Sequence, residues 1–142
     1  PPSRSPSLSD SVRRGSSNTI FLRGDLAKRI GRFDENLGVG TKNGSAEDTD
    51  VAIKALALAR RSAYLDAAAV GHRDPNRALR GPYYRGTLVT LARYAGVVGG
   101  VYGEFIRKLA IGCYLILSRD ITPRQYVSSV RNALAELGSG KL

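Results

Sequence analysis

Tryptophan and methionine are missing from this 142-residue chain, and it holds one cysteine, Cys113, and one histidine, His72. A single cysteine excludes an intrachain disulfide framework and any cysteine-cluster zinc or iron–sulfur site; it fits a reducing compartment. With no second His or Cys at metal-ligand spacing, a metal held by His72 would need co-ligands from outside the chain or from substrate. Three Phe and no Trp leave a lean core. Even so, 42% hydrophobic and 24% charged residues are close to ordinary globular usage and argue against wholesale disorder. Acidic residues are scarce: 12 Asp and Glu stand against 22 Lys and Arg, a formal net charge of +10. The imbalance is uneven, with 12 basic and 9 acidic residues up to position 74 but 10 and 3 beyond it. Such a balance points to an anionic partner, either nucleic acid or an anionic membrane surface.

Long apolar runs are also lacking. The uncharged stretches 94–103 and 109–118 are ten residues each and are separated by Glu104, Arg107 and Lys108, whereas a membrane span needs about 20. No apolar run follows the basic residues of the opening stretch, so it is not a secretory signal. A chain without Met that opens Pro-Pro is expected to be a fragment of a longer protein.

Residues 1–16, rich in Ser and Pro and nearly devoid of apolar side chains, are expected to form a disordered or loop segment. NTIFLR (18–23) reads as a strand, and Gly24 and Asp25 punctuate it before a short helix over LAKRI. Glycines at 31, 38, 40 and 44 make residues 31–46 a loop, with Phe33 and Leu37 as buried anchors. EDTDVAIKALALAR, from Glu47, is built of good helix formers and is apolar over most of its circumference, as in a buried helix. SAYLD and AAVGH read as strands or extended segments. Beyond Pro75, Tyr84, Leu88, Leu91 and Ala95 line one helical face while Arg85 and Arg93 lie off it. A last amphipathic helix is predicted over 123–137, with Thr122 as cap and Pro123 in its first turn.

Glu47, Asp48 and Asp50 crowd the first turn of the predicted helix, directly after the Gly-rich loop. Two readings stand side by side. Acids there are favoured by the helix dipole, by about 0.3–1 kcal/mol, and Ser45 with Asp48 approximates a capping box. Alternatively, three like charges within one turn exceed what capping needs, and a carboxylate so crowded beside a loop is a candidate general base. His72 ends an apolar run, either as a hydrogen-bonded structural residue or as a ligand.

Residues 16–72 resemble the acceptor-side half of a bacterial family-2 glycosyltransferase of the GT-A type. The matching elements are Asn18, then Gly31 before Phe33-Asp34-Glu35, the loop glycines Gly38 and Gly40, Glu47-Asp48-Thr49-Asp50, and the terminal His72. The resemblance implies an α/β, Rossmann-like fold, with residues 17–74 as part of the transferase domain and 75–142 as a basic, amphipathic, membrane-associated helical tail. It implies glycosyl transfer, usually inverting, from a nucleotide-sugar donor to a saccharide or lipid-linked acceptor. Asp48 would be the base that takes the acceptor proton, with Glu47 beside it. Asn18, Asp34 and Asp50 would bind substrate. His72 would complete a manganese or magnesium site whose other ligands this chain lacks, since no DxD motif precedes Asn18. The corresponding location is the cytoplasmic face of a bacterial inner membrane, peripherally, or the cytoplasm. Two other classes remain: a basic nucleic-acid-binding module, which no recognised motif supports, and a non-catalytic membrane-association fragment.

Overall fold

The structure, a computed structural model, describes residues 3–16, 18–65 and 77–142. Its helices are α1 (Leu8–Arg14), α2 (Asp25–Ile30), α3 (Glu47–Leu58), α4 (Arg80–Tyr94), α5 (Val101–Leu117) and α6 (Pro123–Ala135), with a 3-10 turn at Arg77–Leu79. The described residues are 57% helical. Strand is confined among them to β1 (Ser3–Arg4) and β2 (Tyr64–Leu65), paired antiparallel.

This overturns the expected α/β, Rossmann-like architecture. A Rossmann-like layer needs several parallel strands buried between helices, and the described chain supplies none. NTIFLR forms no strand: Asn18 and Thr19 lie in a turn closed by the Thr19 and Ile20 amides donating to the Ser16 carbonyl at 2.8 and 3.0 Å. Phe21 is 88% exposed, with no sheet against which to bury it. SAYLD contributes only the two residues of β2, and AAVGH lies outside the described residues.

The chain divides into two compact units. The first comprises Pro1–Phe33, Asp48–Pro75 and Leu142; the second comprises Asp34–Glu47 and Asn76–Lys141.

In the first unit, the opening stretch expected as a loop carries α1. Its start is a capping box: the Asp10 amide donates to Ser7 Oγ, and the Ser7 amide donates back to the Asp10 carboxylate at 2.8 Å. Arg4 reaches the same carboxylate with two bonds, of 2.7 and 2.8 Å, and these donors hold the Asp10 carboxyl well below the usual carboxylate range. So short a segment is ordered by local caps and charge-assisted bonds rather than by burial, since α1 has no buried residue. Arg4 and Arg14 both lie over the Tyr64 ring. α3 is the buried helix its composition predicts, with Val51, Ala52 and Ile53 inside, and Arg29 donates to the Leu58 carbonyl at its C-terminus at 2.8 Å.

The second unit is built on α4. Tyr84, Leu88, Leu91 and Ala95 are all buried, at 6% exposure or less, as the helical spacing predicted. α5 and α6 both pack on α4. α6 begins as expected, with Pro123 in its first turn and Thr122 and Gln125 forming a capping box. The loop from Asp34 to Glu47 is seated on α4 where Gly86 leaves room for it. A Cβ there would overlap the Ser45 carbonyl, and Ser45 Oγ donates to the Pro82 carbonyl at 3.2 Å. Leu37 is the buried anchor of this loop, at 5% exposure.

Gly112 is a second close approach, where a Cβ would overlap the Tyr84 hydroxyl and the Tyr126 ring. Gly112→Ala should therefore destabilise by about 1–2 kcal/mol, the cost of overpacking outweighing the roughly 1 kcal/mol that Ala offers as a helix former. Urea unfolding checks the sign, and a gain in stability would contradict it.

Among the described residues no helix is long and apolar enough to cross a membrane.

Candidate functional site

The acidic dipeptide expected to carry chemistry stands at the start of α3, and the backbone leading into it is unusual. Ala46 has φ +84°, the left-handed region in which the Cβ of an L-residue crowds its own backbone and costs about 1–2 kcal/mol. Ala46→Gly should raise stability by about 0.5–1 kcal/mol, because relief of that strain exceeds the added entropy of an unfolded glycine. A lower urea midpoint at unchanged slope would overturn this.

The three acids of this turn have different surroundings. Glu47 is half-buried, and its carboxylate lies beside the loop backbone at Gly38, where φ is +106°. A methyl at position 38 would sit 3.4 Å from Glu47 Cδ. Asp50 is buried, 2% exposed, and its carboxylate pairs with Lys54 Nζ at 2.7 Å one turn along α3. It is part of the helix's own packing and is closed to solvent. Asp48, between them in sequence, is half-buried, and among the described residues no hydrogen bond or ion pair holds its carboxylate. The capping box suggested by Ser45 and Asp48 does not form, since α3 begins at Glu47 and the N-cap position falls on Ala46 rather than Ser45; the Ser45 hydroxyl donates to the Pro82 carbonyl instead.

Asp34, expected as a substrate-binding residue, is engaged within the second unit. It accepts from the Asn36 amide at 2.8 Å and from Asn36 Nδ2 at 3.0 Å, and it is ion-paired with Arg93 of α4. Burial opposes ionisation there, but the Asn36 and Arg93 donors outweigh it and hold the carboxyl below its ordinary value. Arg93 also reaches Glu136 just beyond α6, Nε to Oε2 at 3.0 Å. One guanidinium thus ties the loop to two helices. The sequence placed Arg93 off the apolar face but signalled neither of its partners, because they are 59 and 43 positions away and no short-range spacing marks them.

Asn18 is exposed, and its Oδ1 accepts from Ser16 Oγ in the turn that replaces the expected strand. His72 lies outside the described residues. Asn18, Asp48 and Asp50 belong to the first unit and Asp34 and Glu47 to the second. Among the described residues no group of three or more His, Cys, Asp or Glu converges to hold a metal.

Compared with known proteins, the chain matches no family model, no curated protein and no solved structure.

Proposed function

We propose that this chain is the acceptor-side part of a nucleotide-sugar-dependent glycosyltransferase and that Asp48 is its general base. The observation carrying this reading is the contrast within one helical turn. Asp50 is neutralised by Lys54, whereas Asp48 is half-buried and unpaired. A base must be ionised, within reach of an incoming hydroxyl, and not already committed to a cation. Asp48 meets the last condition, and Asp50 does not. Attack by an acceptor hydroxyl on an anomeric carbon releases that hydroxyl's proton, and Asp48 would take it. Glu47 would border the acceptor against the Gly38 backbone. The donor's diphosphate departs with negative charge, which a manganese or magnesium ion neutralises in this chemistry. His72 is the one ligand the resemblance offers, and the others would come from a nucleotide-binding part outside these 142 residues.

The same reading places the chain peripherally on an anionic membrane, at the cytoplasmic face, where lipid-linked acceptors are found. What supports this is the outer face of α5, where Tyr102, Ile106, Tyr114 and Leu117 are 48–82% exposed. A helix with such a face and basic surroundings is suited to lie in a membrane interface. Fewer cations are available for lipid than the sequence suggests. Arg80 pairs with Asp120, Arg93 with Asp34 and Glu136, and Arg107 with Glu104. Lys108 is half-buried over the Tyr84 ring, and the desolvation of its ammonium pushes it down to about 8. Arg119, Arg124, Arg131 and Lys141 remain exposed. Arg124→Gln with Arg131→Gln should weaken binding to phosphatidylglycerol vesicles roughly 30-fold, at about 1 kcal/mol for each charge near the surface. Cosedimentation that is unchanged, or equal on neutral vesicles, would count against membrane docking.

The transferase reading is tested on the gene. The sequence contiguous with residue 1 should encode, in frame, a nucleotide-binding segment with a DxD motif, and the longer product should transfer sugar from a nucleotide diphospho-sugar. An upstream stop codon with no such segment would remove the reading.

A further inference from the structure

The second unit contains a cavity of about 180 Å³ that the transferase reading does not use. Its wall includes Lys42 of the loop, Gly81 and Arg85 of α4, and Gln125 and Ser129 of α6. Both of its charged residues are cations, and no Asp or Glu lines it. Lys42 is exposed and Arg85 half-buried, whereas most other half-buried arginines and lysines among the described residues face a carboxylate.

Part of the donor capacity at this wall is unused. Arg85 Nη1 donates to the Lys42 carbonyl at 3.3 Å, which ties the loop to the guanidinium and is that group's one hydrogen bond among the described residues; Arg85 Nε is shut away from solvent, so the Nη groups are the ends left to meet a ligand. Gln125 is oriented by the α6 capping box. Its Oε1 accepts from the Thr122 amide at 2.7 Å and from Thr122 Oγ1 at 3.1 Å, so Nε2 is left as the free end, near Gly81. Ser129 Oγ is spent on the Gln125 carbonyl at 2.7 Å, which braces that segment of α6. Donors left free at a cavity wall take their acceptors from solvent, an ion or a ligand. Neither cation is buried, so water hydrates both charges; an anion with several oxygens supplies acceptors and opposite charge together.

Size narrows the class. At about 30 Å³ per water, the cavity equals roughly six waters, enough for one tetrahedral oxyanion. It falls below the roughly 300 Å³ at which pockets for drug-sized ligands begin, so a whole nucleotide does not fit. Arg also suits phosphate better than a point charge does, because its planar fork donates along more than one direction. We propose that this cavity, walled by Lys42, Arg85 and Gln125, is a binding site for a phosphate group, free or carried on a lipid headgroup. The proposal does not rest on the glycosyltransferase reading.

Calorimetry of the whole chain with inorganic phosphate, in chloride buffer of low ionic strength, should give saturable binding at one site per chain. Arg85→Gln should weaken it at least tenfold, as expected for losing charge-assisted bonds. Gln125→Ala is the second variant, in case Arg85→Gln perturbs α4; circular dichroism monitors helicity in both. Arg23→Gln, at an exposed cation that does not line the cavity, should change binding less than about twofold. The proposal is overturned by absence of saturable binding, by binding indifferent to both Arg85→Gln and Gln125→Ala, or by an equal loss in Arg23→Gln, which would mean diffuse attraction to the +10 charge. The source is separated by vesicles. If Arg85→Gln weakens retention on phosphatidic acid and free phosphate competes, a headgroup occupies the site. If retention is indifferent to Arg85 while phosphate binding is not, the ligand is free phosphate.

Discussion

Asp48→Asn should lower glycosyl transfer by about 10² to 10⁴ with little change in donor affinity, the range for removing a positioned general base. Asn is nearly isosteric with Asp and keeps a polar side chain in the first turn of α3, so the helix has no reason to unwind. Because no partner among the described residues depends on the Asp48 carboxylate, the substitution strands no buried charge. The measurement is steady-state transfer from a labelled nucleotide sugar by the longer product, with donor binding followed separately. Loss of turnover without loss of binding is the signature of a group that acts on the proton in flight. Turnover near that of the unsubstituted protein would make Asp48 only a favourable charge at a helix start. Asp50→Asn is the informative contrast, since it breaks the pair with Lys54 and should act through stability.

Arg93→Met should destabilise the protein by about 3 kcal/mol, roughly 150-fold in the folding constant, the low end of the cost of breaking a buried ion pair. The low end applies because Asp34 and Glu136, at 24% and 40% exposure, can be partly rehydrated, whereas the Arg93 side chain is only 12% exposed. Methionine keeps the length and apolar stem, so the loss reports the charge and its bonds rather than a void. The pH dependence carries a sign. Asp34 has a folded value below its unfolded one. Its contribution is therefore present above the unfolded value of about 4 and is lost as pH falls through the lower folded value. The unsubstituted protein should lose that increment below about pH 4, and Arg93→Met should lack most of it. Urea unfolding at pH 7 and at pH 3 measures both quantities. An equal acid loss in the two proteins would mean that the Asp34–Arg93 pair contributes nothing net.

Much of the local structure was written in the sequence. The apolar face Tyr84, Leu88, Leu91 and Ala95, Thr122-Pro123 ahead of α6, and the acids opening α3 were all legible. Each depends on neighbours within one or two helical turns, and there periodicity and capping chemistry decide the outcome. The loop between residues 31 and 46 was likewise evident from its glycines, although of its two expected anchors Leu37 is buried and Phe33 is 58% exposed. Fold class was not legible. A β-branched, aromatic run such as NTIFLR becomes a strand only if another strand completes its ladder, and no local signal reports whether one is there.

The identity of the three acids was visible from their positions, but their division of labour was not. The Asp50–Lys54 pair is local, one helical turn long; tertiary structure decided that Asp50 is buried, that Asp34 is claimed by an arginine 59 residues away, and that Asp48 is left unpaired among the described residues. It also decided which cations are engaged, since Arg80 and Arg93 are matched to carboxylates 40 and 59 positions away while Arg85 meets none at its cavity. The sequence by itself determined where helices begin, which faces are apolar and how much positive charge the chain carries. Beyond the pairs one helical turn apart, Asp50–Lys54 and Glu104–Arg107, which charge meets which is set by packing between segments far apart in the chain, and only the folded structure expresses it.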